Sequence, residues 1–134
     1  MRRWLSPLVW MLFLAALAAC LAFWGGIARM PGVGAQVEHA ASRHAFLTAT
    51  YMAAGKHAVA LLGEERAAQW ARGRVASRGD DIASAPPGLL VERIIGAMPV
   101  WLRAAHHGAP LLLLLGLALH LFRLRPVKLI GGRR

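Results

Sequence analysis

The chain has 134 residues, 57% of them apolar, with a mean hydropathy of +0.48 and a formal net charge of +10. So much apolar surface excludes a disordered polymer, the length holds one domain at most, and the lone cysteine, Cys20, excludes a disulfide framework. The positive charges bracket apolar segments, where they complement anionic headgroups, so the expected partner is membrane lipid and not nucleic acid.

From Trp4 to Ile27 there is no charged residue, and about 20 such residues rising 1.5 Å each cross a hydrocarbon core about 30 Å thick. This predicts an N-terminal transmembrane helix over residues 1–28, opened by Arg2 and Arg3, with Trp4, Trp10 and Trp24 placed as interfacial indoles. Gly25, Gly26, Pro31, Gly32 and Gly34 then end the regular helix through backbone freedom and a missing donor.

Residues 29–107 read as an extramembrane amphipathic helical region. Val37, Ala41, Ala45, Thr48, Met52, Val59 and Leu62 fall at three-to-four-residue spacing, which predicts one amphipathic helix between Val37 and Leu62. A second helix opens at Gly63, with Glu64 and Glu65 in its first turn and Arg72, Arg74 and Arg78 toward its end, the charge order that complements a helix dipole. Arg78 to Gly88 is rich in Gly, Asp, Ser and Pro and reads as a loop. Leu89, Leu90, Ile94, Ile95, Met98, Trp101 and Leu102 then trace another apolar helical face, with Pro99 a break or kink. Away from lipid this region offers mainly Ala, so its apolar faces are expected to rest on the bilayer or on another protein.

Residues 108–124 form the expected second transmembrane helix, a short one unless it begins nearer Trp101. A basic tail, 125–134, follows. Arg123, Arg125, Lys128, Arg133 and Arg134, together with Arg2 and Arg3, are the expected lipid-headgroup contacts, and their bias places both termini inside and the loop outside. Abundant Ala, Arg and Gly with scarce Lys suits a GC-rich bacterial genome, hence an inner (cytoplasmic) membrane with cytoplasmic termini and a periplasmic loop.

Several features bear on function. Leu17-Ala18-Ala19-Cys20, behind a basic start and an apolar run, resembles a bacterial lipobox, which implies cleavage before a lipidated Cys20; the apolar run continuing through Leu21, Ala22, Phe23 and Trp24 suits an uncut helix instead. Ala15, Ala19, Ala22 and Gly26 recur at four, three and four and line one face with small side chains, a helix-packing surface for which Gly116 on the second span offers a matching notch, as does a second copy or another membrane protein. His120 lies in the expected second span, about a turn from its basic end, and is a candidate intramembrane polar site. The six histidines do not fall at metal-ligand spacing, and no nucleophile–base pair, paired carboxylates or phosphate-cradling loop is present, so neither a metal, a cofactor nor an enzyme is expected. The reading is an all-α integral membrane protein serving as a non-enzymatic accessory or scaffold subunit of an envelope assembly of secretion, transfer or division type. The alternatives are a membrane-active or lipid-binding protein and a haem- or metal-binding membrane subunit.

Overall fold

The computed structural model describes residues 2–75 and 86–124. The tail residues Arg125, Lys128, Arg133 and Arg134, the side chains of Arg2 and Arg3, and most of the breaker-rich stretch lie outside the described residues. Every regular element among those described is helical: α1 (Arg2–Ala28), α2 (Gly34–His44), α3 (Phe46–Leu62), α4 (Glu64–Val75), a 3-10 turn (Pro87–Leu89), α5 (Leu90–Ala97) and α6 (Val100–Leu124). Two of these are long and apolar enough to cross a membrane, Trp4–Ala28 and Val100–Arg123.

α6 begins at Val100, a full two turns before the apolar block that marks it in sequence. Pro99 explains the start: the residue before it, Met98, is extended, and proline lacks the N–H that a preceding helix needs but a new first turn does not. At 25 residues α6 is about 37 Å long, enough to span. The single helix expected between Val37 and Leu62 is two. Ala45, with φ −146° and ψ 85°, breaks it between α2 and α3, yet Val37, Ala41, Thr48, Met52 and Val59 of the predicted stripe are all buried. The two halves fold back on each other, and Lys56 of α3 reaches Glu38 of α2 at 2.7 Å.

The loop residues do not have to rest on a bilayer to find a core, because α1 supplies one. Phe23, Trp24, Gly25, Gly26 and Ile27 are buried consecutively, which requires that the helix be surrounded on all sides at that height. α3 packs on it more extensively than any other element, followed by α6 and α4. Backbones meet directly: a Cβ on Gly25 would lie 2.4 Å from the Gly55 carbonyl oxygen, and one on Gly26 2.4 Å from that of Ala67. Trp24 is thus a core residue, fully buried, and not an interfacial indole.

The contacts set the directions. Cys20 meets Tyr51, Leu21 and Gly25 meet Gly55, and Gly25 meets Val59, so α3 runs parallel to α1. α2, entered through a turn at Gly32 (φ +79°) with Gly34 pressed on the Ala28 carbonyl, runs the opposite way. α6 is antiparallel to α1, with His106 beside Trp24 and Gly116 beside Trp10. The result is a helical cap wrapped around the C-terminal third of α1. Beyond it a bare two-helix stem exposes large apolar residues from Trp4 to Leu14 and from Leu111 to Phe122.

Candidate functional site

The polar side chains that carry chemistry meet inside the cap, where α1, α3 and α6 cross. The Trp24 indole N–H donates to His106 Nδ1 at 3.0 Å. Indole nitrogen only donates, so Nδ1 is unprotonated and the neutral ring carries its hydrogen on Nε2. The Tyr51 hydroxyl donates to the His106 carbonyl at 3.0 Å. That carbonyl is available for a reason written in the sequence. Residue 110, the one whose N–H would bond it in a regular helix, is a proline within α6. Tyr51 replaces the missing donor and in doing so ties α3 to α6.

The Cys20 thiol lies beside Tyr51 and completes the group. Burial pushes the Tyr51 hydroxyl up to about 12, and the neighbouring thiol adds to the shift. Rings close over the pair, Tyr51 edge-on to His106 at 5.2 Å and Phe23 edge-on to Trp24 at 5.3 Å. No buried side-chain nitrogen or oxygen among the described residues lacks a hydrogen-bond partner. The two hydrogen bonds link Trp24 of α1 and Tyr51 of α3 to His106 of α6, which makes this a structural tie between three helices.

A second cluster faces outward. Trp70 of α4 packs edge-on against Phe23 and tilted against Trp101 of α6, and the Arg74 guanidinium lies over both indoles, 5.3 Å and 5.9 Å from their centroids. Arg103 turns inward to close α5, donating to the carbonyl oxygens of Ile95 at 3.1 Å, Gly96 at 2.8 Å and Met98 at 3.3 Å.

The residues singled out from sequence are distributed as follows. Gly26 faces α4 at Ala67 and Ala71, and Gly116 is buried under the Trp10 indole, while Ala19 and Ala22 are half-buried and Ala15 is exposed. Cys20 is fully buried beside Tyr51. His120 is exposed on α6 one turn from the exposed Arg123. Among the described residues no three His, Cys, Asp or Glu side chains gather as a metal site would require. Sequence reasoning missed the Gly25–Gly55 contact and the tie at His106, although Pro110 four residues after His106 was a legible signal for a freed carbonyl.

Two recesses lie on the stem, the first apolar and the second of mixed character. One, about 450 Å³, is lined by Trp4, Leu5, Pro7, Leu8 and Met11; the other, about 320 Å³, sits between the helix ends at Leu5, Ser6, Leu119, Phe122 and Arg123. Comparison with protein-family models, with curated proteins and with solved structures gives no match for this chain.

Proposed function

We propose that this chain is a non-enzymatic accessory subunit of a bacterial inner membrane, a two-helix anchor that holds a folded helical cap on the outer side for a partner in an envelope assembly of secretion, transfer or division type. The observation that carries the reading is the division of labour along α1. One stretch is sheathed by the cap and the rest is bare and apolar, the surface a lipid-embedded stem needs. The basic residues at both chain ends favour termini on the cytoplasmic side. At the opposite pole of the cap Leu61 and Leu62 are 88% and 73% exposed, next to the loosely paired Arg29 and Glu64, and an apolar pair with a charged rim suits a protein contact.

A photo-crosslinking residue placed at Leu61, activated in native membranes, tests this. A discrete adduct with a second membrane or envelope protein, together with co-purification after mild detergent extraction, supports the accessory role. A failed pull-down combined with strong leakage from vesicles treated with the pure protein replaces it by the second reading, direct action on anionic bilayers, which the apolar recess at Trp4, Leu8 and Met11 favours.

A further inference from the structure

Both long helices could cross a bilayer, but the run of bare, large apolar residues on the stem is shorter than the hydrocarbon core, and a charged hairpin tip stands at its rim. On α1 the exposed large apolar residues begin at Trp4 and stop at Leu14; on α6, below Val100 and Trp101 at its outer end, they resume at Leu111 and reach Phe122. At 1.5 Å per residue these stretches are about 15 Å and about 17 Å tall. A hydrocarbon core is about 30 Å thick.

The tip between α2 and α3 is found at the same height by two independent routes. α3 runs parallel to α1 with Tyr51 beside Cys20, so Phe46, five residues earlier, lies about 7–8 Å nearer the stem, level with Ala15. α2 starts with Gly34 against Ala28 and runs ten steps the other way, about 15 Å, which brings His44 level with Ala18, within a turn of Ala15. Both routes end where the bare stem begins. At that rim Phe46 is 89% exposed, and Arg43 and His44 beside it are exposed as well.

A short apolar anchor draws whatever stands at its rim into the lipid, because the alternative is to thin the bilayer around it. We propose that the α2–α3 tip is a membrane-dipping element, with the Phe46 ring among the acyl chains and Arg43 and His44 on the phosphates of anionic lipid in the leaflet on the cap's side. The side chains suit the position: an aromatic ring gains by leaving water, and a long cationic side chain beside it snorkels to the headgroups. Dipping of the tip and local thinning then share the mismatch, with the bilayer surface on the cap's side lying beyond Ala15 on α1 and the Trp24 end of the helix in the cap core. This inference rests on the membrane reading above and adds the depth of insertion and the lipid contact.

The test is depth-resolved quenching on full-length protein reconstituted in vesicles of phosphatidylcholine and phosphatidylglycerol. A solvent-sensitive fluorophore is attached at Phe46→Cys, Leu114→Cys, Leu61→Cys or Gln69→Cys, all at exposed positions. Cys20 is fully buried, and unsubstituted protein taken through the same labelling gives the blank. The expected result is quenching by nitroxide-labelled lipid at 114 and 46, with the shallow label more effective at 46, and iodide quenching severalfold weaker there than at 61 or 69. Removing phosphatidylglycerol, or adding Arg43→Gln, raises iodide access at 46 and leaves 114 unchanged. Iodide access at 114 sinks the membrane reading and this proposal with it. Protection at 114 with position 46 as open as 69 overturns the tip alone. Position 61 as protected as 46 overturns it too, by putting all of α3 in lipid.

Discussion

Replacing Tyr51 by phenylalanine removes one hydroxyl from a side chain that is 4% exposed, and the structure says which group then goes without a partner. The His106 carbonyl accepts from Tyr51 because Pro110 has no N–H to offer it. Leaving a buried acceptor unpaired costs about 1–3 kcal/mol. In a Pro110→Ala background the new N–H at position 110 reaches the same carbonyl through the ordinary helical bond, so the hydroxyl is no longer the sole donor. Tyr51→Phe is therefore expected to cost less there, and the two substitutions to couple by about 0.5–3 kcal/mol, the range measured for residues sharing one hydrogen-bond network. Any change in the contact with Cys20 is common to both backgrounds and cancels in the cycle. Unfolding of the four proteins in mixed detergent micelles, followed by far-ultraviolet circular dichroism and tryptophan emission, gives the four free energies. An identical cost for Tyr51→Phe in both backgrounds would refute the account of the His106 carbonyl.

Glycine substitutions should divide by sign in the same assay. A Cβ at Gly25 would stand 2.4 Å from the Gly55 oxygen and 2.6 Å from Val59 Cγ2, so Gly25→Ala should destabilise by about 1–3 kcal/mol, the usual cost of overpacking. Gly108, with nothing within 4 Å of its Cβ position, should gain about 0.5–1 kcal/mol on replacement by Ala through reduced backbone entropy. Arg103→Ala should release three carbonyls at the end of α5 at a cost of about 1–2 kcal/mol, seen first as faster amide exchange between Ile94 and Met98. Tyr51 is the only tyrosine, so its phenolate absorbance can be followed alone, and it should titrate near 12 instead of near 10. Because the fold favours the neutral phenol, stability should be level below pH 10 and fall as pH rises from about 10 toward 12; a phenol titrating at its ordinary value argues against its burial.

Helix identity was legible wherever a run of apolar spacing met a breaker. Gly63, Pro99 and the glycines after Ile27 mark real helix ends, although Gly25 and Gly26 lie inside α1; of the predicted stripe Val37, Ala41, Thr48, Met52 and Val59 are buried, while Leu62 is exposed and Gly34, Ala40, Tyr51 and Gly55 are buried off it. The break at Ala45 was not legible, because alanine is a strong helix former and nothing local interrupts the pattern there. What turns the chain is tertiary: α2 and α3 both bury against neighbours only if the helix folds back, and the Glu38–Lys56 pair forms across that fold. The packing role of Gly55 was hidden for a similar reason. A glycine inside an apolar helix is neutral as a symbol, and only the partner backbone at Leu21 and Gly25 gives it meaning. The stripe of Ala15, Ala19, Ala22 and Gly26 was drawn as one surface, yet Ala15 lies on the bare stem and Gly26 in the cap, since a periodicity argument sees the face of a helix and not its height.

That difference in height makes cap and anchor inseparable in folding. The segment between the two long helices, residues 29–99, contributes buried Val37, Ala41, Met52, Val59, Ala71 and Ile94, but the largest fully buried side chains include Trp24, Phe23 and Ile27 from α1 and Leu102 from α6. Losing a buried Trp or Phe costs about 3–5 kcal/mol each when cut to alanine, and a whole domain is stable by only about 5–15 kcal/mol. A fragment of residues 29–99 has therefore lost more than it can spare, and the Tyr51 hydroxyl has lost its acceptor, the His106 carbonyl. Expressed alone it should show no cooperative unfolding transition and no dispersion of amide resonances. A fragment of residues 17–112, which keeps the surrounded part of α1 and the His106 tie and discards most of the stem, should recover both. A cooperatively folded 29–99 fragment would mean that α1 only anchors the cap and does not build it.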